Sequence, residues 1–386
     1  MNMKHDLKGV VMVLAGYHPY IGGAEGQARA VAAELARRGV PVHVATRGRP
    51  GLPAEETLDG VPVHRMPAWG PGPLGALVFM VSVFLDLLLH RDAYDVIHAH
   101  LASSHAVAAA AAGRLAGKRV VVKLGGGAGM GEIALSRASF LGRLKLRALG
   151  LLGPVLAAPN ADILAELPGT PLAGLTAVVL PNGVDLRRFT PASAAERAAL
   201  RKELGWAEGF ALLSTSRLAN DKGVADMLAD FLRVWAESAR GRPARLYIAG
   251  TGPDEAALKD LAQRLGAQVE FLGPRQDLER LYRAADVFLL PSRTEGMSNS
   301  LLEAMASGLP VLATKVSGTD GLVRDNEQGL LYYPGDEAGL RAALGRLFTE
   351  PALAERLGQS ARMRAGQFSL NKTVDKWLEL YGSGKL

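Results

Sequence analysis

The sequence predicts an α/β fold built as two domains, each a mostly parallel sheet covered on both faces. Three observations predict it. Short apolar runs of strand length alternate with helical stretches along the chain. The turn-rich segment PNGVDLRRFTP, Pro181 to Pro191, divides that alternation near its middle. A chain of 386 residues, 48% hydrophobic and 21% charged, allows two domains of ordinary size with ample core.

The first apolar run is Val10–Ala15. In GYHPYIGGAEGQ, Gly22 and Gly23 precede a helix with Ala28, Val31, Ala32 and Leu35 on one face and Gly39 at its end. Strand, glycine loop and helix suit close approach to a phosphate, and equally a plain tight turn. Strands follow at Val42–Thr46, Val61–Met66, Val96–His98 and Val120–Leu124. The run Leu74–Leu89, broken by Gly75, Ser82 and Asp86, is too short and too polar to span a bilayer and reads as a packed core helix. His98 and His100 in DVIHAH fall at the carboxyl end of a strand, where ligands bind in such sheets. With no third ligand nearby, packing or contact with a bound ligand is favoured over a metal pair.

KLGGGAGMGEI, Lys123–Ile133, has five glycines between Gly125 and Gly131, a loop that lets a ligand approach the backbone. Arg137, Arg143, Lys145 and Arg147 then interleave with Phe140, Leu141, Leu144, Leu146 and Leu149. Packing on the sheet with the charges in water is preferred; a basic amphipathic helix on an anionic membrane is the alternative. Ala161–Leu164 and Ala177–Leu180 read as the last strands of this half.

The second half opens with the strand Ala211–Ser214 and the loop TSRLANDKG. Arg217 and Lys222 lie beside a helix start near Gly223 and could clamp a diphosphate, although alone such cations are most often surface charges. Leu246–Ala249 runs into GTGPDE, and Val269–Leu272 ends at Gly273. The most informative stretch is Asp286–Leu322. It reads as a strand Val287–Leu290 closed by Pro291, then a helix capped by Ser298 or Asn299 with Leu301, Leu302, Met305 and Ala306 apolar. A left-handed end at Gly308 and a strand Pro310–Thr314 follow. Glu295 stands in the loop before that helix and Glu303 within it. A helix N-terminus offers N–H donors to a phosphate and the two carboxylates accept from hydroxyls, which suits a sugar nucleotide. A solvated Glu on a surface helix is the plainer reading of the spacing. At the end of the chain, Leu370, Val374, Trp377, Leu378 and Tyr381 share one helical face.

EGMSNSLLEAMASGLPV resembles the Glu-x7-Glu signature of retaining family-4 glycosyltransferases, and the resemblance extends from about Gly9 to Tyr381. It implies the GT-B architecture, two Rossmann-like doubly wound parallel-sheet domains facing a central cleft. Residues 1–185 would form an acceptor-binding domain and 186–367 a donor-binding one, with PNGVD as hinge and the last helix, 368–382, crossing back to the first domain. The resemblance also implies roles. Glu303 would bind the ribose and Glu295 approach the donor sugar, while Arg217 and Lys222 bind the diphosphate; Glu295, Arg217 and Lys222 form the catalytic set. Gly296, Met297, Ser298 and Asn299 would complete the donor site, Phe271 and Leu272 in VEFLGPRQDL would line the base, and Gly22 and Gly23 would face the donor phosphate. SGTD, Ser317–Asp320, is a further donor loop, followed by Gly321 where the family usually has Glu. Many members carry a His just after the strand that ends here near Lys123. This chain has Gly125 there, leaving His100, Lys123 and Gly125 as acceptor-side candidates.

The expected activity is transfer, with retention, of a sugar (hexosyl or N-acetylhexosaminyl) from a UDP- or GDP-linked donor to a hydroxyl of a glycan or lipid-linked acceptor, in bacterial polysaccharide, glycolipid or glycoconjugate synthesis. No enzyme nucleophile is needed, and no Asp-x-Asp or carboxylate cluster offers a metal site, so neither metal nor cofactor is expected. The rivals are a sugar-nucleotide epimerase or hydrolase of the same fold and a non-catalytic sugar-nucleotide binder. The lack of Cys excludes disulfides and thiolate chemistry and fits a reducing cytoplasm, and MNMKHDLKG does not resemble a signal peptide. Of the net charge of +6, residues 1–180 contribute +5, from 17 Lys and Arg against 12 Asp and Glu. That excess is too mild for nucleic acid. It leaves an anionic acceptor, or peripheral contact of residues 137–147 with the anionic inner face of a membrane.

Overall fold

The computed structural model describes residues 7–20, 22–70, 72–127, 129–229, 243–266 and 268–382. The chain divides into two compact units. One holds the residues up to Gly183 together with those from Leu370; the other is Val184–Ser369.

The first unit is built on β1 (Val10–Leu14), β2 (Val42–Arg47), β3 (Glu55–Leu58), β4 (Val61–Met66), β5 (Val96–His100), β6 (Arg119–Lys123), β7 (Val155–Ala158) and β8 (Ala177–Val179). Their order is β3-β4-β2-β1-β5-β6-β7-β8, parallel throughout except for the β3–β4 hairpin. The order reverses direction between β1 and β5, which pair with Val10 opposite Val96. Parallel strands are covered on both faces, so they read as unbroken apolar runs, and β1 and β5 are buried at every position. Val10, Met12, Val44 and Val121 point to the helices Gly23–Arg37 and Leu370–Gly382. Val11, Val13, Ala45, Ile97 and Val122 point to Pro73–Leu89, Ser104–Ala116 and Phe140–Leu152.

The second unit holds β9 (Phe210–Thr215), β10 (Ala244–Ala249), β11 (Val269–Gly273), β12 (Val287–Leu290), β13 (Val311–Thr314) and β14 (Gly329–Tyr332) in the order β11-β10-β9-β12-β13-β14, all parallel. Here the reversal falls between β9 and β12. Leu213, Tyr247, Phe288 and Val311 meet Leu301, Leu302 and Met305 of the Asn299–Ala306 helix on one face. Leu212, Leu246, Leu289 and Leu312 meet Leu258, Leu340 and Leu344 on the other.

One sequence expectation is corrected, one strand was not expected, and one core helix packs on a single side. Ala161–Leu164 is one helical turn, not a strand, because Asn160 caps it by accepting from the Ile163 N–H at 3.0 Å. The strand is Val155–Ala158, after the Phe140–Leu152 helix has ended at Gly153 with φ +72. Second, Glu55–Leu58 forms a strand that its exposed, polar residues conceal; the Asp59-Gly60 turn, with φ +52 and +78, pairs it with β4. Third, Pro73–Leu89 is not a helix packed all round: it buries Gly75, Phe79, Val83 and Leu87 and leaves its other side in water.

The last helix is the closing element of the first core. Trp377 is fully buried, its ring 4.2 Å from that of His98. Trp377→Ala removes the largest fully buried side chain, and large-to-small aromatic truncations cost ~3–5 kcal/mol. Urea unfolding followed by circular dichroism is expected to show that loss, and a change below about 1 kcal/mol would contradict the closing role.

Candidate active site

Because β9 and β12 are parallel neighbours, with Leu212 opposite Val287 and Leu213 opposite Phe288, the loops that follow them leave the same end of the sheet. This is the reversal point of the strand order, where ligands bind in such sheets. The loop after β9 carries Arg217 and a 3-10 turn, Asn220–Lys222. The loop after β12 carries Ser292 and Glu295. The two are pressed together at Gly223, whose φ is +63 and whose missing Cβ would strike the Pro291 carbonyl. Only glycine meets both conditions.

The approach brings Lys222 and Glu295 into an ion pair, Nζ to Oε1, at 2.8 Å. Ser292 Oγ donates to the same oxygen at 2.6 Å, while Oε2 of Glu295 accepts no hydrogen bond among the described residues. Gly318 lies against the Glu295 carbonyl, so the Ser317–Asp320 turn backs the same loop. Arg217 pairs with Asp221 at 3.0 Å, and its side chain is 59% exposed.

The helix Asn299–Ala306 starts at Ser298, whose Oγ accepts from the Leu301 N–H at 3.2 Å. Gly296, Met297 and Asn299 lie at that start. Glu303 is one turn inside the helix. Its Oε2 accepts from Tyr282 Oη at 2.9 Å, and Thr215 Oγ1 lies 2.8 Å from the same phenol. The phenol has one proton, so with Glu303 ionised Thr215 donates to Tyr282. Oε1 of Glu303 accepts no hydrogen bond among the described residues. Burial pushes this carboxyl up to about 7, against the opposing pull of the Tyr282 hydrogen bond and Arg188. Each glutamate therefore has one oxygen held and one unengaged. Phe271 and Leu272 stand in the edge strand β11 on opposite faces, with Lys259 Nζ 5.8 Å from the Phe271 ring.

In the first unit, Gly22 is the N-cap of the Gly23–Arg37 helix, in extended conformation. The Glu25 side chain folds back over the glycine loop; a Cβ on Gly16 would lie 2.7 Å from its Oε1. Burial raises the Glu25 pKa.

His98 and His100 stack with centroids 4.2 Å apart. His98 Nδ1 lies 2.7 Å from Tyr381 Oη, and His100, 1% exposed, has no partner on either ring nitrogen among the described residues. Burial holds both well below the usual histidine pKa, so they are neutral. Their rings belong to the core beneath the last helix. Lys123 lies opposite His100 in the sheet and donates to Asn182 Oδ1 at 2.6 Å; burial lowers it to about 7. Gly125 donates its N–H to Glu132 Oε1 at 2.6 Å, and Ala102 N–H donates to Oε2 of the same side chain. Glu132 is pushed up to about 7 by burial, against those two hydrogen bonds. Among the described residues, no group of three or more His, Asp or Glu side chains could hold a metal ion.

The structure thus brings together Lys222 with Glu295, keeps Arg217 and Glu303 on neighbouring elements, and buries His100. Sequence reasoning missed Ser292, Tyr282, Thr215, Glu25 and Glu132. Ser292 and Glu25 sit inside the recognised segments PSRTEG and GGAE, where a polar residue three from a glutamate or glycine was a readable signal. Thr215 opens the recognised loop TSRLANDKG, and Glu132 lies within KLGGGAGMGEI; Tyr282 is a single residue outside these segments and carries no such signal.

Comparison with known proteins agrees with this geometry. Residues 209–350 match the family model described as glycosyl transferases group 1, and residues 21–188 the model described as glycosyltransferase family 4. A D-inositol 3-phosphate glycosyltransferase of Saccharomonospora viridis is 34% identical over 381 residues, covering 91% of this chain and 86% of that protein. The putative glycosyltransferase EpsD of Bacillus subtilis is 29% identical, covering 89% and 90%. Among solved structures, Anabaena HepE in complex with UDP and glucose superposes with a TM-score of 0.79 at 21% identity, covering 97% of this chain and 100% of that one. WaaG, a glycosyltransferase involved in lipopolysaccharide biosynthesis, superposes at 0.75 with 22% identity, covering 97% and 100%. With two parallel-sheet units, matches to both family models and a relative of this identity along most of its length, the chain belongs to the family-4 glycosyltransferases of GT-B fold.

Proposed function

We propose that this glycosyltransferase moves a sugar, with retention of configuration, from a nucleoside diphosphate sugar to an acceptor hydroxyl in bacterial polysaccharide, glycolipid or glycoconjugate synthesis. The donor would be UDP- or GDP-linked, and the acceptor a glycan or a lipid-linked hydroxyl. The reading includes work in the cytoplasm, with residues 137–147 peripheral to the inner face of a membrane; no helix among the described residues is long and apolar enough to cross one.

The observation that carries the reading is the pairing of Lys222 with Glu295 beside the start of the Asn299–Ala306 helix. The chemical demand is to stabilise charge on a departing diphosphate. Lys222 and Arg217 are the cations at hand, and the helix start adds a favourable dipole. Glu295 holds Lys222 through one oxygen and keeps the other for a donor hydroxyl. Glu303 does the same with Tyr282 and the ribose. No carboxylate here needs to attack carbon: in same-face attack the leaving phosphate takes the acceptor proton.

The roles of the two glutamates separate by experiment. Glu303→Gln is expected to weaken UDP or GDP and the intact donor alike, by ~1.5–3 kcal/mol, and to raise KM. Glu295→Gln is expected to leave affinity for the free nucleotide nearly unchanged and to lower kcat, since its contacts orient the reacting carbon. Calorimetry and steady-state kinetics on both variants decide. Equal loss of nucleotide affinity in both, with kcat intact, would refute the division.

The raised Glu303 pKa gives a second test. Ribose hydroxyls donate to the carboxylate, so binding favours its ionised form and lowers its pKa from about 7. Nucleotide binding should then release protons near pH 6–7 and weaken as pH falls through that range, at up to tenfold per pH unit. The nucleotide phosphate titrates as well, but equally in Glu303→Gln. The difference between wild type and variant therefore reports the carboxyl, and identical pH profiles would remove Glu303 from the ribose site.

A third test concerns metal. The charge stabilisation proposed here comes from Lys222, Arg217 and a helix start, so turnover should survive EDTA. Loss of activity restored by manganese would show that the cations do not suffice.

A further inference from the structure

The helix Pro73–Leu89 presents two unlike sides. Gly75, Phe79, Val83 and Leu87 face the sheet, while Leu74, Leu77, Val81, Leu85 and Leu89 face outward, between 50% and 79% exposed. The outward residues form a single stripe along the whole helix, at helical spacing, with no charge on it. The only carboxylate of the helix, Asp86, is 15% exposed and pairs with His90 at 2.9 Å.

This stripe does not stand alone. The Ser104–Ala116 helix packs between Pro73–Leu89 and Phe140–Leu152, all three on one face of the sheet. The outer positions of that middle helix include Val107 and Ala111, which are partly exposed. Phe140–Leu152 buries Gly142, Leu146 and Leu149 and exposes Phe140, Leu141, Leu144 and Leu151, each by more than half. Ten of the eighteen exposed large apolar side chains among the described residues lie on these three helices. A concentration of this kind marks an interaction surface rather than ordinary scatter.

Charge selects the partner. Residues 133–160 contain Arg137, Arg143, Lys145 and Arg147 and no carboxylate. Arg137, Arg143 and Arg147 pair with no carboxylate among the described residues, while the half-buried Lys145 faces Glu132. Arg114 adds a fifth at the end of the middle helix, donating to the Leu151 carbonyl at 3.4 Å. A second copy of the chain docked symmetrically would set these cations against their own copies. An anionic bilayer satisfies both features at once, apolar side chains entering the acyl boundary and cations meeting headgroup phosphates.

We propose that this three-helix face docks on an anionic lipid bilayer, with Pro73–Leu89 supplying the apolar contact and Phe140–Leu152 the cations. This widens the membrane contact from the basic segment alone to a second helix that is uncharged on its outer side. It is read without donor or acceptor, so its failure is distinguishable from failure of the proposed chemistry.

The test is flotation of the full chain with phosphatidylcholine vesicles, with and without phosphatidylglycerol, at low and high salt. Wild type is expected to float with the anionic vesicles at low salt and to be released by high salt. Arg143→Gln/Arg147→Gln should partition about 25-fold more weakly, about fivefold for each cation. Leu77→Ser/Leu85→Ser should lose about tenfold or more while keeping its melting temperature, since both side chains are already exposed in the folded chain. Absence of wild-type flotation at low salt would overturn the proposal. So would flotation unchanged by the leucine substitutions, or a dimer, measured by light scattering, that those substitutions dissociate.

Discussion

The ion pair between Lys222 and Glu295 is the contact on which the loops at the end of the second sheet depend. A lysine and a glutamate in open water attract weakly, but this pair is 20% and 10% exposed and shares Ser292. Partial burial makes the pair asymmetric: keeping both partners adds modest stability, and losing one strands the other charge. The pair exists because two loops from the central strands touch, and they touch because Gly223 has no Cβ. The ion pair and the glycine of positive φ are thus one structural decision. The cation is held at a fixed place while its charge is balanced.

The first unit uses buried polar groups differently. His98 with Tyr381, Lys123 with Asn182, and Gln27 with Gly183 join residues up to 283 positions apart in sequence. The Gln27 amide brackets Gly183, donating to its carbonyl at 2.8 Å and accepting from its N–H at 3.0 Å. These bonds fix β5, β6, the Gly23–Arg37 helix, the last helix and the PNGVD segment with respect to one another. Neutral histidines suit this role, since a charged imidazole in that core would have no carboxylate to meet. Lys123 is tolerated there because its amine, lowered to about 7, sheds its charge easily and bonds to an amide.

Whatever depends on local pattern was legible in the sequence. Apolar runs located both sheets, the Ser298 cap and Gly308 bounded the Asn299–Ala306 helix, and Asp286–Leu322 gave the site's main carboxylates. The failures have a common cause, a deciding partner distant in the chain. The run Ala161–Leu164 is apolar enough for a strand, and only the Asn160 cap turns it into a helix. Periodicity shows that Pro73–Leu89 is helical but not that its outer stripe stays exposed among the described residues. Nothing near Glu303 in sequence announces Tyr282, 21 residues away.

The glycine at position 125 shows how such a distant partner changes the meaning of a missing residue. Read as a motif, Gly125 is the loss of a histidine. Read as a structure, the place is taken. A Cβ there would lie 2.6 Å from Leu101 Cδ2 and 3.1 Å from the Glu132 carboxylate. Leu101 is itself held at φ +71, a conformation that a branched aliphatic residue adopts only when its surroundings impose it. Those surroundings include the Leu101 N–H bond to the Lys123 carbonyl at 2.8 Å and the two backbone N–H groups that Glu132 gathers from the loops after β5 and β6. Leu101, Gly125 and Glu132 are therefore a coordinated set. The glycine makes room for the Glu132 carboxylate, which burial pushes up to about 7. The polar group at this corner of the first unit thus comes from the Glu132–Ala138 helix that follows the loop.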